Sequence, residues 1–189
     1  VIERKIITIL ELGSGYSTVI LAHALNINKK NHANYVLNNL RRNNAFELHS
    51  LETYDKFFEI TSSYIPKHLK KIVNLYHEKV CMSEFQSRIC TCYNQLPNFI
   101  YLDGTDIYNV KENIRGRSTR HPDSVPMSAD ILAIEHFLLP GTMILIDGRT
   151  ANARFLKNNF QRNWSYFHDR EDDVHYFEML EMPLGEFNK

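Results

Sequence analysis

Four acidic residues stand where apolar, β-branched runs end: Glu11 after "KIITIL", Glu52 after "FELHSL", Asp103 after "NFIYL" and Asp147 after "TMILI". One such acid means little, because aspartate also opens turns. Four at one edge of a sheet would form a pocket suited to hydroxyl, amine or metal partners. Just beyond Glu11 comes Gly13-Ser14-Gly15, followed by Ser17-Thr18. Glycines let the backbone approach a ligand and take positive φ. The N–H groups of a helix start, with nearby hydroxyls, can bind oxygens. A dinucleotide fingerprint would put a third glycine at position 18, where this chain has Thr18, and that weakens a pyrophosphate reading. A carboxylate placed as Glu52 is can accept both hydroxyls of a ribose.

Other groups have weaker claims to chemistry. Arg115, Arg117 and Arg120, with Lys111 nearby, could clamp a carboxylate or phosphate on a substrate, or form an ordinary solvated loop. Asp106 and His121 are secondary candidates for proton transfer beside Asp103. Tyr101 and Tyr108 are candidates for lining the pocket or packing at its rim. Cys81, Cys90 and Cys92, with His77, raise the question of a metal. The spacing H-x3-C and then C-x-C fits no zinc pattern. An odd number of cysteines instead points to reduced thiols and a cytoplasmic setting.

Alternating strands and helices must position these groups. The expected strands are Lys5–Leu12, Phe46–Leu51, Lys71–Tyr76, Asn98–Leu102, Thr142–Ile146, Trp164–His168 and Val174–Glu181. Helices are expected at Ser17–Leu25, Tyr54–Tyr64, Ala129–Leu139 (with Ser128 as its N-cap) and Ala151–Phe160. The Asn-rich stretch Asn26–Asn44 reads as an insertion with one short helix near Tyr35–Arg41. Val80–Tyr93 suits a short hairpin, and Thr105–Met127 a long loop. Such alternation predicts an α/β fold, a doubly wound and mostly parallel seven-stranded sheet. The last two strands are joined by a tight charged turn and should form an antiparallel C-terminal hairpin. The 189 residues fit a single domain spanning 1–189. Hydrophobic residues at 43% and charged residues at 23% give a globular composition. Lys+Arg and Asp+Glu both number 22, so zero net charge argues against a general nucleic-acid or acidic-membrane binder. No apolar stretch is long enough to span a membrane.

The ordered set "LELGSGYST", "LHSLE", "FIYLDGTD" and "GTMILIDGR", with the terminal hairpin, resembles the class I S-adenosylmethionine-dependent methyltransferases over nearly the whole chain. That resemblance implies a Rossmann-like sheet with S-adenosyl-L-methionine as cofactor. Its amino-acid end would lie on Glu11, Gly13, Ser14, Gly15, Ser17 and Thr18. Its ribose would lie on Glu52, with Thr53 beside it, and its adenine near His77–Ser83. Asp103 would face the methyl group and orient or deprotonate the acceptor. In metal-dependent O-methyltransferases, acids after the fourth and fifth strands and an adjoining Asn hold a cation. The resemblance therefore implies Asp103 and Asp147 as candidate Mg²⁺ ligands, although Gly148 replaces that Asn and Asn152 lies nearby. The helix that usually precedes the first strand has no counterpart here. A pocket completed by another chain, in a homo-oligomer, is one consequence.

Methyl transfer to oxygen or nitrogen of a small-molecule or sugar-like acceptor is the expected activity. Two alternatives compete with it: a nicotinamide-dependent oxidoreductase using the same glycine turn, and a non-catalytic cofactor-binding module.

Overall fold

The computed structural model describes residues 1–42, 44–81, 97–104, 127–183 and 185. The strands are β1 (Thr8–Leu12), β2 (Glu47–Glu52), β3 (Val73–His77), β4 (Phe99–Leu102), β5 (Met143–Asp147), β6 (Trp164–Asp169) and β7 (Val174–Met179). The helices are α1 (Tyr16–Asn39), α2 (Asp55–Tyr64), α3 (Asp130–Ile134), which runs on as a 3-10 turn (Glu135–Phe137), and α4 (Thr150–Asn159). They build one seven-stranded sheet in the order β3-β2-β1-β4-β5-β7-β6. All neighbouring strands up to β5 run parallel, and β7 is antiparallel to both β5 and β6. The expected doubly wound sheet with a reversed terminal hairpin is therefore present.

Side chains alternate across the strands, so each apolar run supplies both faces. On one face Leu10, Leu12, Ile100, Leu102, Ile144 and Ile146 pack under α3 and α4, with Ile131, Leu132 and Leu156. On the other face Ile9, Leu48 and Phe99 pack under Leu21, Ala22 and Leu25 of α1. With both faces covered, open ground for a ligand lies at the strand ends. The chain order reverses between β1 and β4, and it is at such a switch point, outside the carboxyl ends of the strands, that sheets of this kind have their ligand crevice.

Two expectations need correction. Asn26–Asn44 is not an insertion with a separate short helix, because α1 continues unbroken to Asn39. The polar stretch stays helical because Asn28 turns inward, where its buried amide donates to the carbonyls of Ile6 at 2.8 Å and Val1 at 3.2 Å. Val36 one face further on is also buried, against Ile7 and Phe46. Ser128 is not the N-cap of α3. Ala129 holds that position, while the Ser128 hydroxyl donates to Asp130 at 2.6 Å.

Candidate functional site

The glycine turn leaves β1 at the crevice. Gly13 is buried with φ +96, a conformation that strains any residue with a side chain. Its N–H donates to the Leu51 carbonyl at 2.9 Å, which ties the turn to β2. On its other side it meets Gly104, the residue after Asp103. A Cβ on Gly13 would lie 2.1 Å from the Gly104 Cα, and a Cβ on Gly104 would lie 2.1 Å from the Gly13 Cα. The two backbones touch because neither carries a side chain. The Leu12 carbonyl fixes the contact by accepting from Gly104 N–H at 2.7 Å and Asp103 N–H at 3.2 Å. Gly104 was not among the residues singled out from sequence. Its signal was the Asp-Gly pair, which reads equally well as a plain turn.

Gly15 differs from Gly13. Its backbone is extended (φ 175), and a Cβ there would meet nothing within 4 Å. The chain's own packing gives no reason for a glycine at this position.

Glu11 lies fully buried behind the turn. It accepts the hydroxyls of Ser17 at 2.6 Å, Thr18 at 2.7 Å and Ser50 at 2.6 Å. Burial pushes its carboxyl up, the three hydroxyls oppose that rise, and the Asp103 charge adds to it. Glu11 therefore braces the turn from inside the protein rather than lining a pocket. The Ser17 and Thr18 hydroxyls, expected on the cofactor side, turn inward to this carboxylate. Thr18 also accepts the Gly15 N–H at 3.0 Å, which links the helix start to Glu11. This explains a threonine where a dinucleotide fingerprint would have its third glycine.

Glu52 closes β2 and holds the front of the turn. Its Oε2 accepts both the N–H and the hydroxyl of Ser14, each at 3.0 Å. Its Oε1 accepts the N–H groups of Thr53 at 2.8 Å and Tyr54 at 3.0 Å. The Ser14 hydroxyl also reaches Thr61 of α2 at 3.1 Å, so it has a second partner when Glu52 takes another. Beside this cradle, exposed Tyr16 stacks on Tyr64 with ring centroids 5.5 Å apart.

The ends of β4 and β5 are laid out differently. Asp103 is exposed and Asp147 half-buried. Partial desolvation, and then the Asp147 charge, push the Asp103 carboxyl above its usual range, while the Arg149 guanidinium pulls it down. Arg149 also donates from Nε to the Asp103 carbonyl at 3.0 Å. Tyr101 donates its hydroxyl to Asp147 Oδ2 at 2.9 Å. Desolvation, that hydrogen bond and the nearby acids push the phenol well up, so Tyr101 stays a donor.

Among the described residues, no third histidine, cysteine or carboxylate joins Asp103 and Asp147. Asn152 is buried, and its amide is taken up by the backbone of Ser128, accepting its N–H at 2.7 Å and donating to its carbonyl at 3.2 Å. His77 pairs with Asp55 at 3.0 Å, and Cys81 is exposed. Cys90, Cys92, Asp106, Tyr108, Lys111, Arg115, Arg117, Arg120 and His121 lie outside the described residues.

A seven-stranded sheet in the order 3-2-1-4-5-7-6, parallel but for its reversed β7 and with helices on both faces, is the Rossmann-like fold of the class I S-adenosylmethionine-dependent methyltransferases. The chain has that fold. Among solved structures it is similar to an O-methyltransferase from Bacillus cereus in complex with S-adenosylhomocysteine. The TM-score is 0.52 at 16% identity, over 95% of this chain and 76% of that one. It is also similar to yhhF, a proposed methyltransferase from Escherichia coli, with TM-score 0.43 and 11% identity over 93% of this chain and 78% of that one. No protein-family model and no curated protein matches the sequence.

Proposed function

We propose that this chain transfers a methyl group from S-adenosyl-L-methionine to an oxygen or nitrogen of a small-molecule or sugar-like acceptor. The observation that carries this reading is the clasp of Glu52 on the Ser14 turn, beside a Gly15 face that the chain leaves open. The cofactor fits these groups. The Gly13–Gly15 backbone would take its amino-acid end, and Glu52, with Thr53 adjoining, its ribose hydroxyls. A carboxylate has about four acceptor positions, and Glu52 uses all four on its own chain. A ribose would therefore displace the Ser14 hydroxyl, which then keeps Thr61.

When bound, the cofactor supplies an electrophilic methyl on a sulfonium; the protein aligns the acceptor and manages its proton. Asp103 is the group that does this. Its carboxyl is raised, so it is a better proton acceptor than an ordinary aspartate. Tyr101 and Arg149 hold the neighbouring charges in place. Arg115, Arg117 and Arg120 would bind an anionic group on the acceptor. The balanced charge supports an acceptor that is neither nucleic acid nor membrane, and the odd cysteine count supports a cytoplasmic setting. Among the described residues, no helix is long and apolar enough to cross a membrane.

Calorimetric titration tests the reading with S-adenosylhomocysteine against NADH, on the natural sequence and on Glu52→Ala. Expected is binding of the first ligand only, weakened by the substitution. Binding of NADH instead would transfer the site to the oxidoreductase alternative, and binding of neither would sink the methyltransferase reading.

A further inference from the structure

The reversed hairpin carries a group of side chains that the methyl-transfer site does not use. His168 on β6 and His175 on β7 are direct cross-strand partners, and their rings stack with centroids 3.9 Å apart. Asp173, in the turn between them, reaches both. Its Oδ1 lies 3.2 Å from His168 Nε2 and 3.9 Å from His175 Nε2. Thr150, the first residue of α4, adds a hydroxyl 3.0 Å from His175 Nε2 and 3.2 Å from Asp173 Oδ1. Among the described residues, this is where three histidine, cysteine or acidic side chains bring ligand atoms within 4.8 Å of one another.

We propose that His168, His175 and Asp173 form a binding site for a divalent transition-metal ion of the zinc class, with the Thr150 hydroxyl or a solvent molecule at the fourth corner. The spacing supports this. A tetrahedral ion with bonds of about 2.0–2.1 Å has ligand atoms roughly 3.3–3.4 Å apart along its edges. Three of the four distances above lie within a few tenths of an ångström of that value. The fourth, 3.9 Å, needs closing by about half an ångström. Two imidazoles and one carboxylate suit zinc, cobalt or nickel better than magnesium, which prefers oxygen alone.

Second contacts orient the ligands as metal sites require. His175 is fully buried, and its Nδ1 lies 2.9 Å from the Tyr166 hydroxyl. In the ligating tautomer Nδ1–H donates to that oxygen and Nε2 is bare, facing Asp173. Asp173 has φ 50, a left-handed conformation that aspartate tolerates better than most residues. Its carbonyl accepts the Gly148 N–H at 3.0 Å. The hairpin rungs hold both histidines in place, so the site needs little ordering to form.

Equilibrium dialysis and visible absorption with Co²⁺, followed by competition with Zn²⁺, test the proposal on the full chain. His168→Asn and Asp173→Asn remove ligands at the surface, and asparagine suits the backbone of residue 173. Cys81→Ser controls for thiol binding. Expected is one Co²⁺ per chain with a nitrogen–oxygen spectrum, displaced by Zn²⁺ and not by Mg²⁺. Each ligand variant should lower affinity by about tenfold or more, and Cys81→Ser should change nothing. No stoichiometric binding, or binding indifferent to both ligand variants, would overturn the proposal, as would loss of binding in Cys81→Ser. The outcome is independent of whether the chain transfers methyl groups.

Discussion

The two halves of the crevice rim contain the same kind of residue in opposite states. On the β1–β2 side Glu11 and Glu52 are both buried and accept seven hydrogen bonds from their own chain, three at Glu11 and four, a full set, at Glu52. On the β4–β5 side Asp103 is exposed and Asp147 has the Tyr101 hydroxyl. A saturated carboxylate is fixed in place and spends its acceptor capacity on shaping the backbone around it. An unsaturated one keeps lone pairs for a visiting group. One edge of the sheet thus sets two buried, hydrogen-bonded carboxylates at the ends of β1 and β2 beside an exposed carboxylate just after β4. The Gly13–Gly104 contact joins them.

The strongest way to break this contrast is at the joint. Gly13→Ala combines a φ of +96 with a backbone overlap at 2.1 Å. It should cost more than about 3 kcal/mol and lower the melting temperature by roughly 6–12 °C. A variant that melts with the natural protein would show that the turn is softer than described. Asp103→Asn should act only on chemistry. Turnover should fall by about 10²–10⁴-fold, with stability within about 0.5 kcal/mol and cofactor affinity retained. Equal loss of turnover and affinity would mean that Asp103 belongs to the cradle. Glu52→Gln should show the reverse pattern. A glutamine must turn its NH₂ either to the Thr53 and Tyr54 amides or to Ser14, leaving one pair of donors without an acceptor, so stability should drop by about 1–3 kcal/mol and S-adenosylhomocysteine should bind more weakly.

Gly15→Ala separates the two glycines of the turn. The position has room and an extended backbone, so melting should be unchanged within about 0.5 kcal/mol. Cofactor affinity should fall by about tenfold if a ligand lies against that face. Undiminished affinity would place the ligand elsewhere. Arg149→Ala gives the smallest effect. The guanidinium lowers the Asp103 carboxyl, so its removal should raise that group further. Activity that depends on ionised Asp103 is present above its pKa and lost as pH falls through it. The acid limb of kcat/KM should therefore move to higher pH in the variant. A limb that stays put, or moves down, would detach Asp103 from the proton step.

The seven strands and the acids at their ends were legible in the sequence because buried parallel strands write themselves as apolar runs that stop at a polar residue; the order in which they pair was not. What each acid does was not. Glu11 and Glu52 look alike in sequence, yet Glu11 faces inward because Ser17, Thr18 and Ser50 converge on it from two other elements. The full length of α1 was missed for a related reason. Asn28 counts as a surface residue by polarity, and only the carbonyls of Val1 and Ile6 explain its burial. The histidine pair escaped notice because residues 168 and 175 become neighbours only through the hairpin register. Hydrophobic pattern reports which face a residue takes, whereas hydrogen-bond partners depend on elements far away in the chain.

The contact of Gly13 with Gly104 also bears on how the molecule is assembled. "LGSGYS" is contiguous, but its shape is held by a residue in the second half of the chain. A nascent chain that has made β1, α1 and β2 has the whole motif and lacks the wall that sets its curvature. Pairing of this kind, between positions far apart along the chain, carries a loop-closure cost and tends to come late in folding. The cradle therefore takes its final shape only once β4 has joined β1, and a ligand that fits it recognises the paired strands rather than the motif.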